Sequence, residues 1–496
     1  MWNETVLASD KLEMPNMRYS QVVIFFCLAI QAFLFLALFS ISTSPFYQTP
    51  FMDDSGIFQY IGENWTEGIV PYLELWDNKG PLLYFINALG FLICGCKYGI
   101  FILQVLNLTS ALWVIYQTFR INYRGRVSVL GTTAALLWLS NMTVNNNPAE
   151  WLLIPLCLSF YLLYKWLKSY PQESLSWRSS LVFGITIGCG FLLRFSDCIP
   201  LIVALIVAAL FLIYDGKWKD VIKHSMICIL GMVIVMLPFL IYFYVNDGLQ
   251  EMWYASFWHN IEYVEHSRFL SHRSSYAMGS FIFSYAIYFA AIIAGLLCTI
   301  FHLSSRRIAI ALLLASIVTL AFISQTYARG TYSLSSISIF CLVVFLMDEL
   351  VREKCPSCSK WFGWAMFTFA VIVFSMQAGQ EMGRDYKSYD LTLYKQVENC
   401  IPTSERHSFV GFDLKPDIYV YTALKPAHRF FIVYSVCLDA DDSLVERIRK
   451  EYQRTKAKWV LVKQTGYKVC VQDILDQNYD IYKSFIQGYT LYHLKQ

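Results

Sequence analysis

Charged residues are scarce in this 496-residue chain: Asp, Glu, Lys and Arg make up 15% of it, whereas about a quarter is usual in soluble domains. The motifs GxxxxGK[ST] and HExxH are absent, and no GxGxxG follows a predicted strand. Nothing therefore indicates a P-loop, a zinc-protease helix or a dinucleotide-binding turn. The net charge of +3 is too small to indicate a nucleic-acid partner.

A disulfide framework is also missing, although the chain has 14 cysteines. Most of them lie within apolar segments, where cysteine behaves as a small hydrophobic residue. Cys355-Pro-Ser-Cys358 is a single CxxC without a second ligand pair, which favours a short basic loop over a zinc or redox site. Cys400, Cys437 and Cys470 lie in a polar C-terminal region, and the sequence leaves their oxidation state open.

Apolar residues make up 56% of the chain and form repeated runs of about 18 or more, long enough to cross a bilayer. The first run, Gln21–Ser44, is too long for the core of a signal peptide and lacks a cleavage site, so we expect a retained helix. The predicted spans are 21–44, 98–119, 127–143, 149–167, 180–196, 197–214, 222–245, 281–302, 308–324, 332–349 and 362–379. These runs predict an α-helical polytopic membrane protein with about 11 transmembrane helices.

The positive charges predict the orientation of these spans. With the N-terminus inside, the inner connections carry about sixteen Lys and Arg and the outer ones about six, a strong positive-inside bias. Counting the short apolar run Leu82–Cys96 as a span would destroy this bias, so we interpret it as an interfacial or re-entrant helix. The first outer loop, 45–97, is then extracytoplasmic. Gly184 and Gly188 form a small-xxx-small pair, which predicts close helix packing.

The composition changes after about Gly379, which divides the chain into a membrane domain, 1–379, and a C-terminal domain, 380–496. The predicted elements of the C-terminal domain are strands at Phe409–Phe412, Trp459–Val462, Tyr482–Phe485 and Tyr489–His493, and a helix at Asp441–Lys458. We therefore expect a small α/β domain. An odd number of spans places it outside the cell membrane.

The first outer loop carries the strongest candidates for chemistry. Asp53 and Asp54 follow the first span, and a carboxylate there could act as a general base or help to hold a divalent cation such as Mg²⁺ or Mn²⁺, together with Glu150. The alternative is that Asp54-Ser55-Gly56 caps a helix beginning near Ile57. The Lys79 ammonium could bind a phosphate oxygen. The alternative is that it has no binding role and only extends to the polar membrane interface.

Other outer-face residues are weaker candidates. Glu150 begins a span, so helix capping is its simplest role. Arg194 lies in apolar surroundings, where a charge is costly and indicates function. Arg268, His259 and Arg329 are each more typical of structural roles. Because nucleotide-sugar donors are not found outside the cell membrane, an outward-facing site would take its activated substrate from the lipid phase.

The first outer loop resembles that of the GT-C glycosyltransferases, and most closely the bacterial protein-mannosyltransferase-like group that includes lipid A aminoarabinose transferases. The matching motifs are DSGIFQYIG at 54–62, GIVPY at 68–72, WDNKGPL at 76–82, and Tyr84. Weaker similarities lie at Asn147–Glu150, Gly190–Arg194 and Phe257–Tyr263. The segment Tyr327–Tyr332 departs from the family, because its histidine-tyrosine pair and following proline are absent.

This resemblance implies an inverting transfer of a sugar from a polyprenyl-phosphate donor to an extracytoplasmic glycan, lipid or protein. It implies that Asp54 is the base, with Asp53 as the alternative, and that Lys79, Arg194 and Arg268 bind the donor phosphate. The substrate-binding residues it implies are Tyr60, Tyr72, Asp77, Glu150, His259 and Asn260. The interfacial helix Leu82–Cys96 and nearby spans would hold the donor tail, and membrane lipids are further expected partners.

Two other functions remain open at this stage. A glycan polymerase or ligase would use a polyprenyl-diphosphate oligosaccharide. A transporter or flippase of lipid-linked sugars would show paired internal repeats and charges near the membrane midplane, and the sequence has no convincing repeat. The sugar, the acceptor, the oligomeric state and the role of the C-terminal domain cannot be read from the residues.

Overall fold

The computed structural model describes residues 16–47, 53–142, 144–262, 278–325, 333–383, 391–432, 438, 441–464 and 469–495. The helices of the membrane domain are α1 Asn16–Phe39, α2 Asp53–Thr66, α3 Pro81–Cys94, α4 Lys97–Arg120, α5 Gly125–Leu139, α6 Pro148–Trp151, α7 Leu153–Ser169, α8 Trp177–Leu192, α9 Ile199–Tyr214, α10 Trp218–Val245, α11 Leu249–Trp253, α12 Met278–Ser284, α13 Ala286–Ile300, α14 Arg306–Ile323, α15 Phe340–Lys354 and α16 Pro356–Gly383. Short 3-10 segments, Phe195–Cys198 and Leu334–Ile339, precede α9 and α15.

All eleven predicted spans fall on these helices or on helix pairs such as α6–α7 and α12–α13. Within the described residues, the helical segments that are long and apolar enough to cross a bilayer are Gln21–Phe39, Lys97–Arg120, Phe195–Tyr214, Trp218–Val245, Arg306–Ile323, Leu334–Lys354 and Trp361–Met382. Four apolar helices are shorter: α3, α5, α8 and α13. The predicted α-helical polytopic fold class is confirmed, while the number of about 11 transmembrane helices stays a prediction.

Helix α3 corresponds to the apolar run that we interpreted as interfacial. Pro81 occupies its first turn and Gly95 ends it in the left-handed conformation, with φ 64°. Its 14 residues span about 21 Å, less than the ~30 Å of hydrocarbon in a bilayer. One face packs on α2 and α4, while Leu92 on the other face is 69% exposed. This length fits an interfacial helix better than a transmembrane span. That α3 lies at the membrane interface stays a prediction.

Helices α8 and α10 pack at very short range. A Cβ atom on Gly184 would lie 1.9 Å from the carbonyl oxygen of Cys228, and one on Gly231 would lie 2.4 Å from that of Leu181. The predicted packing role of the pair Gly184 and Gly188 is therefore confirmed, since Gly188 also meets α10 at Met232. This packing holds the last turns of α8, which ends at Leu192, two residues before Arg194.

The C-terminal domain contains a four-stranded sheet in the order β1-β2-β4-β3. Its elements are α17 Thr392–Cys400, β1 Phe409–Phe412, α18 Asp417–Tyr421, α19 Asp442–Thr455, β2 Trp459–Lys463, α20 Gln472–Asn478, β3 Tyr479–Phe485 and β4 Tyr489–Leu494. Strands β1 and β2 are parallel, with Phe409 opposite Trp459, and the other two pairs are antiparallel. The small α/β architecture predicted from the sequence is confirmed.

Beneath α19 lies a histidine that makes this domain sensitive to acid. His428 is buried, and its ring centroid lies 4.7 Å from that of Tyr452. Neither ring nitrogen has a hydrogen-bond partner among the described residues. Burial lowers the pKa of His428 to about 4. A charged imidazolium would therefore be poorly accommodated here.

We expect the C-terminal domain to lose stability as the pH falls from about 6.5 to about 4. In this window the unfolded histidine takes up a proton that the folded one does not bind, which costs up to about 3 kcal/mol of unfolding free energy. Hydrogen exchange of the β1 and β2 amides, corrected for intrinsic rates, measures this loss. His428→Phe should remove this part of the pH dependence, and an unchanged dependence in that variant would contradict the assignment.

Candidate functional site

Helix α2 presents the candidate base. It begins at Asp53, so Asp54 lies in its first turn, where a carboxylate interacts favourably with the helix dipole. Asp54 is exposed, while its neighbour Ser55 is buried. The alternative prediction of a cap before Ile57 is wrong, because the helix starts four residues earlier, with a polar first turn that the apolar pattern does not reveal. The Asp53 side chain lies outside the described residues.

A buried polar network holds the start of α2. The Ser55 hydroxyl lies 2.6 Å from the Ser42 hydroxyl and accepts a hydrogen bond of 3.1 Å from the Asn146 amide. The same amide donates to Asn87 Oδ1 in α3, at 2.8 Å. Asp54 is thus carried by a helix turn that is fixed to both α3 and the turn before α6.

Glu150 lies at the base of this network. Its side chain is buried: Oε1 accepts from Gln104 at 2.8 Å, and Oε2 accepts from the backbone N–H of Asn146 at 2.9 Å. These contacts agree with the predicted capping role: Asn147 accepts from the Glu150 N–H at 3.2 Å, and the Glu150 carboxylate accepts backbone N–H groups at the same helix start. Glu150 thereby also holds Asn146, whose backbone is in the left-handed conformation with φ 59°. Sequence reasoning missed Gln104, although a glutamine within an apolar span is itself a signal.

Two buried tyrosines shape the loop before α3. Tyr72 donates to the carbonyl oxygen of Lys79 at 2.7 Å, and Tyr84 donates to Asp77 Oδ2 at 2.7 Å. The backbone N–H of Lys79 in turn donates to the Tyr84 hydroxyl at 3.1 Å. Burial, followed by the nearby charge of Asp77, raises the pKa of Tyr72, so its hydroxyl remains a neutral donor. In this structure, Tyr72 and Asp77 position the loop backbone.

The loop meets the end of α8 at Gly80, whose N–H donates to the carbonyl oxygen of Leu193 at 3.3 Å. A Cβ atom at this position would lie 2.2 Å from the carbonyl oxygen of Leu192, so only glycine allows the approach. Lys79 and Arg194 are the chain neighbours of this hydrogen-bonded pair. The backbone segments that carry these two cations, distant in the sequence, are thereby brought together.

Both cations have partners within the protein. Arg194 forms a bidentate ion pair with Asp197, with distances of 2.7 and 3.0 Å from its Nε and Nη2 atoms. The Asp197 side chain is fully buried, so Arg194 neutralises a charge that has no access to water. The Lys79 ammonium donates to Asn78 Oδ1 at 2.5 Å. The sequence indicated both cations, but not the role of Asn78.

The segment after α11 adds His259 and Asn260. A π-helical turn, Tyr254–Trp258, precedes them. His259 Nδ1 lies 2.8 Å from Asp441 Oδ2 in the C-terminal domain, and both side chains are buried. Asn260 instead donates to the carbonyl oxygen of Asn78 at 2.7 Å. Two consecutive residues therefore connect the C-terminal domain with the loop that carries Lys79. Sequence reasoning missed Asp441 as a partner.

The remaining predicted residues are placed differently. Tyr60 is buried, with its ring centroid 5.6 Å from Tyr419 and 5.4 Å from Phe431, so it packs against the C-terminal domain. Arg268 and Arg329 lie outside the described residues. That Tyr60, Tyr72, Asp77, Glu150, His259 and Asn260 touch substrate stays a prediction.

A metal site was also considered at Asp53, Asp54 and Glu150. In the part of the chain that the structure describes, no group of three or more His, Cys, Asp or Glu residues could hold a metal ion. Both carboxylate oxygens of Glu150 already accept hydrogen bonds from protein groups. Its described contacts fit a structural role better than that of a metal ligand.

Residues 78–243, about a third of the chain, match the family model described as dolichyl-phosphate-mannose-protein mannosyltransferase. The matched part includes Lys79 and Arg194 and begins after Asp54. A comparison with curated protein sequences gave no match.

Solved structures resemble almost the whole chain. ArnT from Cupriavidus metallidurans, bound to undecaprenyl phosphate, is 12% identical, with a TM-score of 0.58 over 95% of this chain and 97% of that one. An oligosaccharyltransferase from Archaeoglobus fulgidus, in complex with Zn and sulfate, is 14% identical, with a TM-score of 0.56 over 95% of this chain and 73% of that one. The chain has the GT-C fold. This fold and the apolar helices together support a multi-pass membrane protein.

Within this GT-C fold, the described contacts define a candidate active site on one side of the membrane domain. Residues 78–80, which include Lys79, contact Asn260 and the backbone of Leu193, next to Arg194. Asp54 is linked to them through Ser55, Asn146 and α3, which begins two residues after Lys79. The arrangement combines an exposed carboxylate with two cations held in place by other parts of the fold. It is suited to removing a proton and to stabilising an anionic leaving group.

Proposed function

We propose that this protein is a glycosyltransferase that moves a sugar from a polyprenyl-phosphate donor to an extracytoplasmic glycan, lipid or protein acceptor, with inversion. The observation that carries this proposal is the backbone hydrogen bond between Gly80 and Leu193, the chain neighbours of Lys79 and Arg194. Two cations on neighbouring backbone segments suit the binding of a phosphate. The similarity to an ArnT structure bound to undecaprenyl phosphate supports a lipid-linked one.

The reaction follows from the roles proposed for these residues. Asp54 removes the proton from an acceptor hydroxyl, and the oxygen attacks the anomeric carbon of the donor sugar. The bond between that carbon and the phosphate oxygen breaks, and the phosphate leaves with the electron pair. Attack from the opposite side inverts the configuration. Lys79 and Arg194, together with Arg268 from the undescribed segment, stabilise the charge that develops on the phosphate.

The proposed orientation follows from the positive-inside bias. The N-terminus is cytoplasmic, and the first outer loop and the C-terminal domain lie on the extracytoplasmic side of the cell membrane. A lipid-linked donor reaches this face from within the bilayer. Exposed apolar side chains of α3, such as Leu89 and Leu92, provide a surface along which its tail can lie.

A donor comparison tests the proposal. We expect the purified protein in vesicles to transfer labelled sugar to a cell-envelope extract from an undecaprenyl-phosphate monosaccharide, and not from a nucleotide sugar. Vesicles without the protein provide the background. Transfer from an undecaprenyl-diphosphate oligosaccharide alone would instead indicate a polymerase or ligase. Movement of the lipid-linked sugar across the bilayer without bond formation would indicate a transporter.

A further inference from the structure

The C-terminal domain contacts the candidate site directly. The backbone N–H of Trp76 donates to the carbonyl oxygen of Arg429 at 2.9 Å. The Trp76 ring centroid lies 5.6 Å from that of Phe430 and 5.3 Å from that of His259. The loop that carries Lys79 is therefore packed between the C-terminal domain and the segment after α11.

Asp441 is the central residue of this contact. One carboxylate oxygen accepts the Leu444 N–H at 2.9 Å and so caps α19. The other lies 2.8 Å from His259 Nδ1 and accepts the Tyr254 hydroxyl at 2.6 Å. Burial opposes its ionisation, but the hydrogen bonds from His259 and Tyr254 hold the pKa of Asp441 well below its usual range. It is therefore a carboxylate at neutral pH.

Ion pairs lie beside this residue and hold the same two parts together. Glu251 of α11 accepts from Arg447 of α19 at 2.9 Å and lies 3.2 Å from Arg429. The Arg447 guanidinium also lies 3.9 Å from the centre of the Tyr254 ring. Because charged and aromatic contacts surround Asp441, the segment that contains His259 is held on the C-terminal domain at more than one point.

The hydrogen bonds continue from this segment to Lys79. Asn260 donates to the carbonyl oxygen of Asn78 at 2.7 Å, and the Asn78 amide lies 3.3 Å from Asn260 Oδ1. Asn78 Oδ1 then accepts the Lys79 ammonium at 2.5 Å. A continuous path of neighbouring residues and hydrogen bonds thus leads from the cap of α19 to the cation.

We propose that the C-terminal domain is a functional part of the donor-phosphate site, and that Asp441 is a positioning residue that fixes the Lys79 ammonium through His259, Asn260 and Asn78. This inference rests on the proposed function, because it assigns Lys79 to the donor phosphate. It gives the domain a task other than binding the acceptor or covering the site. Asp441 itself does not touch the substrate.

The first test is the affinity of the full-length Asp441→Ser protein for undecaprenyl phosphate in nanodiscs. Serine retains the cap of α19 but is too short to reach His259. The uncharged alcohol undecaprenol serves as reference ligand, so the difference reports the phosphate contribution. We expect this contribution to weaken about fivefold, the usual effect of losing a hydrogen bond. Asp473→Ser is the matched control: it breaks an ion pair with Arg449 elsewhere in the domain and should leave binding unchanged.

The sign of the effect separates positioning from simple electrostatics. Removing a negative charge near the site would by itself strengthen phosphate binding, whereas loss of positioning weakens it. Asn260→Leu provides a second route, because it breaks the link to Asn78 while leaving Asp441 and His259 intact. It should weaken phosphate binding to the same extent, and this variant decides the question if Asp441→Ser does not fold.

A double-mutant cycle with Lys79→Met completes the test. If Asp441 acts through Lys79, Asp441→Ser should have no further effect on phosphate binding in the Lys79→Met protein. Additive losses, stronger binding, or an unchanged affinity in both Asp441→Ser and Asn260→Leu would overturn the positioning role alone. Undiminished phosphate binding by Lys79→Met itself would overturn the proposed donor site, so the two failures are distinguishable.

Discussion

Asp54→Asn is expected to lower the rate of sugar transfer about 10²- to 10⁴-fold, the usual contribution of a general base. The amide has nearly the same shape as the carboxylate but cannot take up the acceptor proton. Because Asp54 is exposed in the first turn of α2, its replacement leaves the buried network around Ser55 and Asn146 in place. We therefore expect the fold and the donor affinity to be retained, with the large loss in turnover.

Two variants of the same region control this experiment. Glu67→Gln removes an exposed acid just after the end of α2 and should retain full activity. Asp53→Asn tests the alternative base, and we expect a smaller loss than at Asp54. Transfer is measured with a labelled undecaprenyl-phosphate sugar. Full activity in both aspartate variants would show that neither residue is the base.

Arg194→Met is expected to destabilise the protein by about 3–5 kcal/mol, because it leaves the buried carboxylate of Asp197 without its partner. The bidentate geometry of this pair makes the loss large. Thermal unfolding of the detergent-solubilised protein measures the effect. Loss of donor binding in this variant alone would not establish a functional role, since instability would produce it too.

The double variant Arg194→Met/Asp197→Leu separates the two roles of Arg194. Replacing both members of a buried ion pair by apolar residues is often neutral or stabilising. We therefore expect stability to return, while binding of undecaprenyl phosphate stays weakened about tenfold, as for loss of a charge-assisted contact. Recovery of binding together with stability would show that Arg194 is purely structural.

The sequence predicted the elements well, because each has a strong local signal. The strand Phe409–Phe412 was placed at its observed limits, since a short buried run between polar segments is a clear pattern. The spans were found from apolar length alone. The start of α2 was missed, because its polar first turn looks like a loop.

The site was predicted only in part. Lys79 and Arg194 stood out as charges beside apolar segments, but their proximity depends on the Gly80–Leu193 contact, which no local pattern reveals. Asn78, Gln104 and Asp441 act through partners far away in the sequence. Polar residues of this kind look like ordinary loop or helix residues until the fold shows what they bind.

The link between His259 and Asp441 also has a consequence for how the protein is made. These residues are 182 positions apart, so at roughly 5–20 residues per second the ribosome reaches Asp441 about 10 to 40 s after His259. During this delay the segments that contain Lys79 and Arg194 have already been synthesised, but the C-terminal domain that packs against the loop has not. Completion of the candidate site is therefore one of the last events in biosynthesis, and a chain truncated before α19 would contain the loop with Lys79 but not the domain that packs against it.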